Sequence, residues 1–241
     1  MHRAVHPVLD LPVLFDDPLA FPILGVDRDE VLASAAPTSR LRRFIALRHR
    51  LAEQTLAAAY DQGTRQCVVL GTGLDTIAYR NDHPDLGVFE VDHPATQAWK
   101  RERLAEAGIA EAATYVGVDF ERDDLTARLV EDGVLATRPA VFVWLGVVPY
   151  LTREAVAVTL SALAAVPGAE VVLDHAGTER DAAGDERHRR LAERVAAVGE
   201  ELTDAWAPGE MAELLTRSGF TEVEELLPTG SGAHVVRARR R

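Results

Sequence analysis

The residues best suited to chemistry stand at the ends of short apolar runs. QCVVLG (66–71) leads into Gly71-Thr72-Gly73-Leu74-Asp75-Thr76. Glycines at such a turn let a ligand approach the backbone closely, and a helix that follows would offer its free N–H groups. A bare tight turn has the same appearance, and Thr76 stands where the dinucleotide fingerprint has its third glycine. A second run, 87–92, ends in Glu90-Val91-Asp92 with Pro94 just beyond. A carboxylate at Asp92 can accept both hydroxyls of a ribose, or cap the helix that Pro94 starts, and the two roles are compatible.

Arg48 is informative through its place on a helix. Over 39–60, Leu41, Phe44, Ile45, Ala52, Leu56 and Ala59 form one apolar stripe. At about 100° per residue, Arg48 falls inside that stripe and Arg50 on the opposite face. An arginine directed toward the core needs an anion, because unpaired burial is costly. That anion is either a carboxylate of the chain or one of a ligand, unless the side chain snorkels to water. Tyr150 and His175 follow the fourth and fifth apolar runs, where ligands bind at the carboxyl ends of parallel strands. An ordinary imidazole titrates near neutrality, so His175 is a candidate to take a proton, with a structural hydrogen-bonded histidine as the competing reading.

Other chemistries find little support. The histidines at 2, 6, 49, 83, 93, 175, 188 and 234 show no zinc-type spacing with a cysteine or carboxylate, so no metal is expected. There is no G-x-S-x-G elbow, and lone Cys67 lies among apolar residues entering the first run.

The elements that must position these residues alternate. Strand-like runs at 66–71, 87–92, 113–120, 140–147 and 169–176 are joined by segments long enough for crossovers, with helices expected near 94–107, 123–132, 152–165 and 185–200. This pattern predicts a mostly parallel sheet with helices on both faces. A helix near 208–218, ended by Gly219, precedes two further strand-like runs, TEVEELLP and GAHVVRAR, read as an antiparallel hairpin at the sheet edge. The first 37 residues are proline-rich and weakly periodic, with a short turn-and-helix in DDPLAFPILG. One domain over 1–241, with 1–62 as an amino-terminal helical cap, is the simplest organisation.

Composition sets the outer limits. With 241 residues and 47% hydrophobic content, the chain can bury a core without disulfides. A single cysteine fits a reducing compartment. No apolar run approaches the ~18–20 residues of a membrane span and no signal-type segment is evident, so the expected location is the cytoplasm. A formal charge of −12 argues against nucleic acid as partner. Oligomeric state is not legible.

Taken together, RQCVVLGTGLDTIAYR, VFEVDHPATQAWKRERL and VWLGVVPYLTREAV, in this order and spacing, resemble the leucine carboxyl methyltransferase family, and within it the bacterial branch of small-molecule O-methyltransferases. The resemblance covers about residues 40–178 well and 205–241 loosely. It implies a class I methyltransferase (Rossmann-like) α/β fold with a seven-stranded sheet. It also implies S-adenosyl-L-methionine as cofactor and a carboxylate or hydroxyl of a small molecule as acceptor. By position, it implies that Arg48 holds the cofactor carboxylate, that Gly71 and Gly73 lie beneath its methionine part, that Asp92 binds the ribose and that Asp119 and Phe120 lie beside the adenine. Asp75 is expected to brace the following helix. Leu145 stands where the family usually has a glutamate, and the carboxyl-terminal region is short. A nicotinamide-dependent oxidoreductase and a non-catalytic S-adenosylmethionine-binding protein are the rival readings.

Overall fold

The apolar runs fold as strands, and their burial explains why. β1 (Gln66–Leu70) is buried along its whole length, and β2 (Gly87–Asp92) and β3 (Thr114–Gly117) run parallel beside it in the order β3-β2-β1. Near-continuous apolar sequence is what a parallel strand covered on both faces requires. β4 (Val141–Trp144), likewise buried throughout, runs parallel to β5 (Glu170–Ala176). The final pair, β6 (Glu222–Glu225) and β7 (Ala233–Arg239), is antiparallel, and the order there is β4-β5-β7-β6. The seven strands are therefore mostly parallel with a carboxyl-terminal antiparallel pair, as expected. The last strand lies next to β5, and acidic, partly exposed β6 forms the edge, where charge discourages pairing with another chain.

The computed structural model describes residues 1–179, 185–186, 189–190, 192–193, 205–227 and 232–241. The chain divides into two compact units, Met1–Gly117 and Val118–Arg241, so the segment 1–62 belongs to the same unit as β1–β3. Most of the helix expected at 185–200 lies outside the described residues. Among the described residues no helix is long and apolar enough to cross a membrane.

In the first unit, α1 (His2–Leu9), α2 (Ala20–Leu24) and α3 (Arg28–Ser34) occupy the stretch read as weakly periodic. α4 (Arg40–Asp61) starts where the Ser39 hydroxyl accepts the Arg42 N–H, and α5 (Pro94–Glu106) carries Pro94 in its first turn. Two expectations change. The connection from β1 to β2 contains no α-helix, only a three-residue 3₁₀ turn at Ile77–Tyr79. The amino-terminal half of the α4 stripe is shifted by one position. Arg42, Ala46 and His49 are buried with Ala52, Leu56 and Ala59, while Leu41 is 47% exposed. Arg48 is half-buried and Arg50 exposed.

The shift has a cause in α1, which packs on α4. Asp10, just past α1, receives Nε and Nη2 of Arg42 at 2.6 and 2.9 Å, and Nη1 and Nη2 also donate to the carbonyls of Ala36 and Pro37. The buried arginine that must find an anion is thus Arg42, and its anion is internal. The helix α6 (Leu125–Glu131) and α7 (Arg153–Ala164) of the second unit are capped by Asp124 and Thr152. The helix Glu210–Ser218 stops at Gly219, whose φ of 112° suits glycine.

Candidate active site

The glycine turn after β1 is built against β2. The N–H groups of Gly71 and Thr72 donate to the Val91 carbonyl at 2.7 and 3.3 Å, which bends the chain across the strand end. Gly71 and Gly73 have φ of 63° and 49°, a region that side chains with a Cβ enter at a cost. The Gly73 N–H donates to Asp92 Oδ2 at 2.6 Å, and the His93 N–H donates to Asp92 Oδ1 at 2.7 Å. Gly73 and Asp92 are therefore brought together. Each carboxylate oxygen accepts one backbone N–H and keeps lone-pair capacity for further donors. The cap of α5 is His93, whose Nδ1 accepts from the Ala95 N–H, so Asp92 does not fill the capping role.

A Cβ placed on Gly73 would meet no atom within 4 Å, so the glycine faces open space. Gly73→Ala is expected to cost about 1–2 kcal/mol of stability, because alanine is strained in this backbone region. If Gly73 lies beneath the cofactor as the resemblance implies, the added methyl group enters that open face, and the variant should also weaken S-adenosylmethionine binding more than a stability loss of that size explains. Urea unfolding and calorimetric titration of the same variant separate the two effects.

Buried charge holds this turn in place. Asp75 Oδ1 accepts the Ile77 N–H, and Oδ2 receives Arg3 Nη1 at 3.0 Å and lies 3.3 Å from His49 Nε2. Asp75 thus braces a 3₁₀ turn rather than a helix, and it ties α1 and α4 to the glycine turn. Burial works against its ionisation, but Arg3 and His49 outweigh that and keep its carboxyl well below the usual range. Burial pushes the His49 imidazole down. Arg48 directly precedes His49 in sequence, so this clasp fixes the part of α4 that carries it. Its guanidinium carbon stands 5.8 Å from the Phe44 ring centroid.

On the strand side, Lys100 Nζ lies 2.8 Å from Glu90 Oε2 and donates to the Asp75 carbonyl at 2.6 Å. Burial raises the Glu90 carboxyl to about 7, against the pull of Lys100, and burial lowers the lysine. Arg42, His49, Glu90 and Lys100 were not singled out from the sequence as functional. The available signal was a charge inside an apolar run for Glu90, and for Lys100 its standing as the only lysine.

In the second unit, Asp119 and Phe120 follow the end of β3 in a turn. The Asp119 carbonyl accepts from the Arg122 and Asp123 N–H groups, and its side chain accepts from the Glu121 N–H at 3.0 Å. That turn is why β3 ends at Gly117, short of the run expected to reach 120. The Phe120 ring lies 6.3 Å from that of Trp144, at the end of β4. Leu145 is half-buried beyond it, and the Gly146 N–H donates to Asp174 Oδ1 at 2.6 Å. Asp174 therefore shapes the loop in which the glutamate is replaced. Tyr150 sits in a 3₁₀ turn and is 40% exposed.

His175 is 6% exposed at the end of β5. Burial, helped by nearby His234, pushes its imidazole down to about 4, below the neutrality expected of an ordinary histidine. It lines a cavity of about 390 Å³ together with Thr178, Trp206, Met211, Val223 and His234. Linear spacing gave no metal-type grouping of histidines, yet folding places His175 and His234 opposite each other with Glu225 nearby.

Residues 1–164 match the leucine carboxyl methyltransferase family. A protein of Mycolicibacterium paratuberculosis named "Putative S-adenosyl-L-methionine-dependent methyltransferase" is 33% identical over 232 residues, covering 86% of this chain and 74% of that protein. YktD of Bacillus subtilis, similarly named, is 35% identical over 176 residues, covering 69% of this chain and 57% of that protein. Among solved structures, the magnesium protoporphyrin IX methyltransferase ChlM of Synechocystis, with bound S-adenosylhomocysteine, superposes with a TM-score of 0.52 at 12% identity, over 92% of this chain and 96% of that one. The CurJ carbon methyltransferase gives 0.55 at 18% identity, over 78% of this chain and 53% of that one. At such identities these two show the fold alone, which is the class I methyltransferase fold.

Proposed function

Because this chain belongs to the leucine carboxyl methyltransferase family and is an S-adenosylmethionine-dependent methyltransferase, we propose that it methylates an oxygen of a small molecule, a carboxylate in preference to a hydroxyl. The observation carrying this reading is the cavity beside His175. Its size, about 390 Å³, and its lining of Trp206, Met211 and Val223 with a few polar groups suit a small organic acceptor. The family affiliation removes the case for a nicotinamide-dependent oxidoreductase.

In this reading Arg48, Gly71, Gly73 and Asp92 hold the cofactor. Arg48 pairs with its carboxylate, and Asp92 accepts the ribose hydroxyls with the lone pairs that Gly73 and His93 leave. The glycines fit this task, since both adopt left-handed backbone and Gly73 faces open space. Asp119 and Phe120 keep the adenine-side role that the resemblance assigns them. When bound, the cofactor supplies an electrophilic methyl group on a sulfonium centre. The protein contributes alignment and exclusion of water.

The preference for a carboxylate follows from His175. An imidazole held near 4 is a weak proton acceptor at neutral pH, whereas a carboxylate arrives ionised and needs no base. His175 then acts on the acceptor by hydrogen bonding, and Tyr150, outside the cavity lining, keeps only the substrate-side role expected of it from its place after β4. A panel of small carboxylic acids, phenols, amines and activated-methylene compounds, assayed for S-adenosylhomocysteine release, tests the reading. Turnover with carboxylic acids is expected, and turnover confined to nitrogen or carbon acceptors would overturn it.

A further inference from the structure

Three polar side chains converge on one face of the carboxyl-terminal strands. In the antiparallel register His175 of β5 lies directly opposite His234 of β7, and Glu225 of β6 lies opposite Val236, two residues along β7 from His234. Opposed residues share a face, and so do residues two apart, so strand pairing alone brings His175, His234 and Glu225 together across three neighbouring strands. One ligand-type atom from each lies within 4.8 Å of the others. The imidazoles are stacked, with centroids 4.7 Å apart and planes 5° from parallel. His234 Nδ1 is 3.4 Å from Glu225 Oε2. The two histidines are 6% and 8% exposed, and all three side chains line the cavity. The chain makes room for this arrangement at Gly177, where any Cβ would collide with the His234 ring.

We propose that His175, Glu225 and His234 form a binding site for a divalent transition-metal ion of the zinc and cobalt class. Two imidazole nitrogens and one carboxylate favour such borderline ions over magnesium or calcium, which take oxygen ligands. With bonds of about 2.0–2.1 Å, ligands of one tetrahedral ion stand about 3.4 Å apart, so binding contracts the cluster by about an ångström. His234 Nδ1 and Glu225 Oε2 already stand at that separation, so the movement falls on His175, whose ring must turn out of the stack because an imidazole lone pair lies in its ring plane and parallel rings cannot both aim at one ion. Three protein ligands leave a coordination position open toward the cavity, where an oxygen donor of a small molecule can bind. With the ion bound, His175 serves the metal and the acceptor meets the ion's open position instead; the site does not depend on the methyl-transfer reading, since its occupation is measured without turnover.

The test uses the full, untagged chain stripped with a chelator and titrated with Co²⁺, followed by visible absorption and calorimetry. The expected result is one Co²⁺ per chain, displaced by Zn²⁺ and not by Mg²⁺. Glu225→Gln and His234→Ala should each weaken Co²⁺ binding by at least about tenfold, the lower end of what even an outer partner of a metal ligand contributes. Circular dichroism checks that both variants fold, and Glu225→Gln, on an exposed strand, keeps the test decisive if His234→Ala does not. Absence of Co²⁺ binding would overturn the proposal. So would binding equal in the wild type and a folded variant, which would put the ion on the acidic surface, or displacement by Mg²⁺ as readily as by Zn²⁺.

Discussion

Asp92→Ala is expected to weaken S-adenosylmethionine binding by at least about 150-fold, since in the proposed site two charge-assisted hydrogen bonds at roughly 1.5–3 kcal/mol each are lost. The carboxylate does two things at once. It receives the Gly73 and His93 N–H groups, and its remaining lone pairs face the ribose hydroxyls in the proposed site. Removing it therefore loosens the glycine turn as well as the ligand. Asp92→Asn retains one acceptor oxygen and should fall between the two. Calorimetric titration of the three proteins, with melting temperatures to show that they fold, provides the measurement. Affinity within about threefold of wild type in Asp92→Ala, less than one such hydrogen bond is worth, would remove the ribose from this residue.

Arg42→Ala should be the most destabilising single change in the first unit, by about 3–5 kcal/mol, the range for removing one partner of a buried ion pair. Arg42 and Asp10 side chains are only 2% and 5% exposed, so the orphaned carboxylate would have little water to turn to. The pair also has a pH signature. Hydrogen bonding from Arg42, foremost, and from His6 holds the Asp10 carboxyl below its ordinary range. A depressed folded value means that this contribution is present above about pH 4, the unfolded value, and drains away as pH falls through the folded one. Urea unfolding at neutral and acid pH should show wild type losing stability on acidification and Arg42→Ala losing less. Equal acid sensitivity in both proteins would show that the Asp10 pair does not govern it.

The strands were legible because each of them carries its own signal. A run such as AVFVWLGV at 140–147 has no way to satisfy its side chains in water, and β4 and β5 formed where such runs stood. The residues proposed for the cofactor carry a related kind of signal. Glycines that must adopt left-handed backbone, and an acid at the end of a neighbouring strand, are constraints written locally, and Gly73 and Asp92 meet at 2.6 Å. Helix α1 was not legible, because its order comes from Arg42 on Asp10 and Arg3 on Asp75, partners far away in sequence. The stripe on α4 was misplaced by one position for the same reason. Periodicity assigns faces by hydrophobicity, and it cannot foresee that a buried arginine outcompetes Leu41 for the packed face once a carboxylate arrives opposite it.

What the sequence by itself determined is the strand-and-helix alternation, the family, the cofactor and the residues proposed to hold it, because these rest on short-range patterns. Only the tertiary structure decided which charges are buried and paired, that His175 is held neutral, and that His175, Glu225 and His234 share one face. The physical reason is that ionisation and ligand geometry depend on desolvation and on neighbours across strands, and the linear order of residues contains neither until the chain has folded.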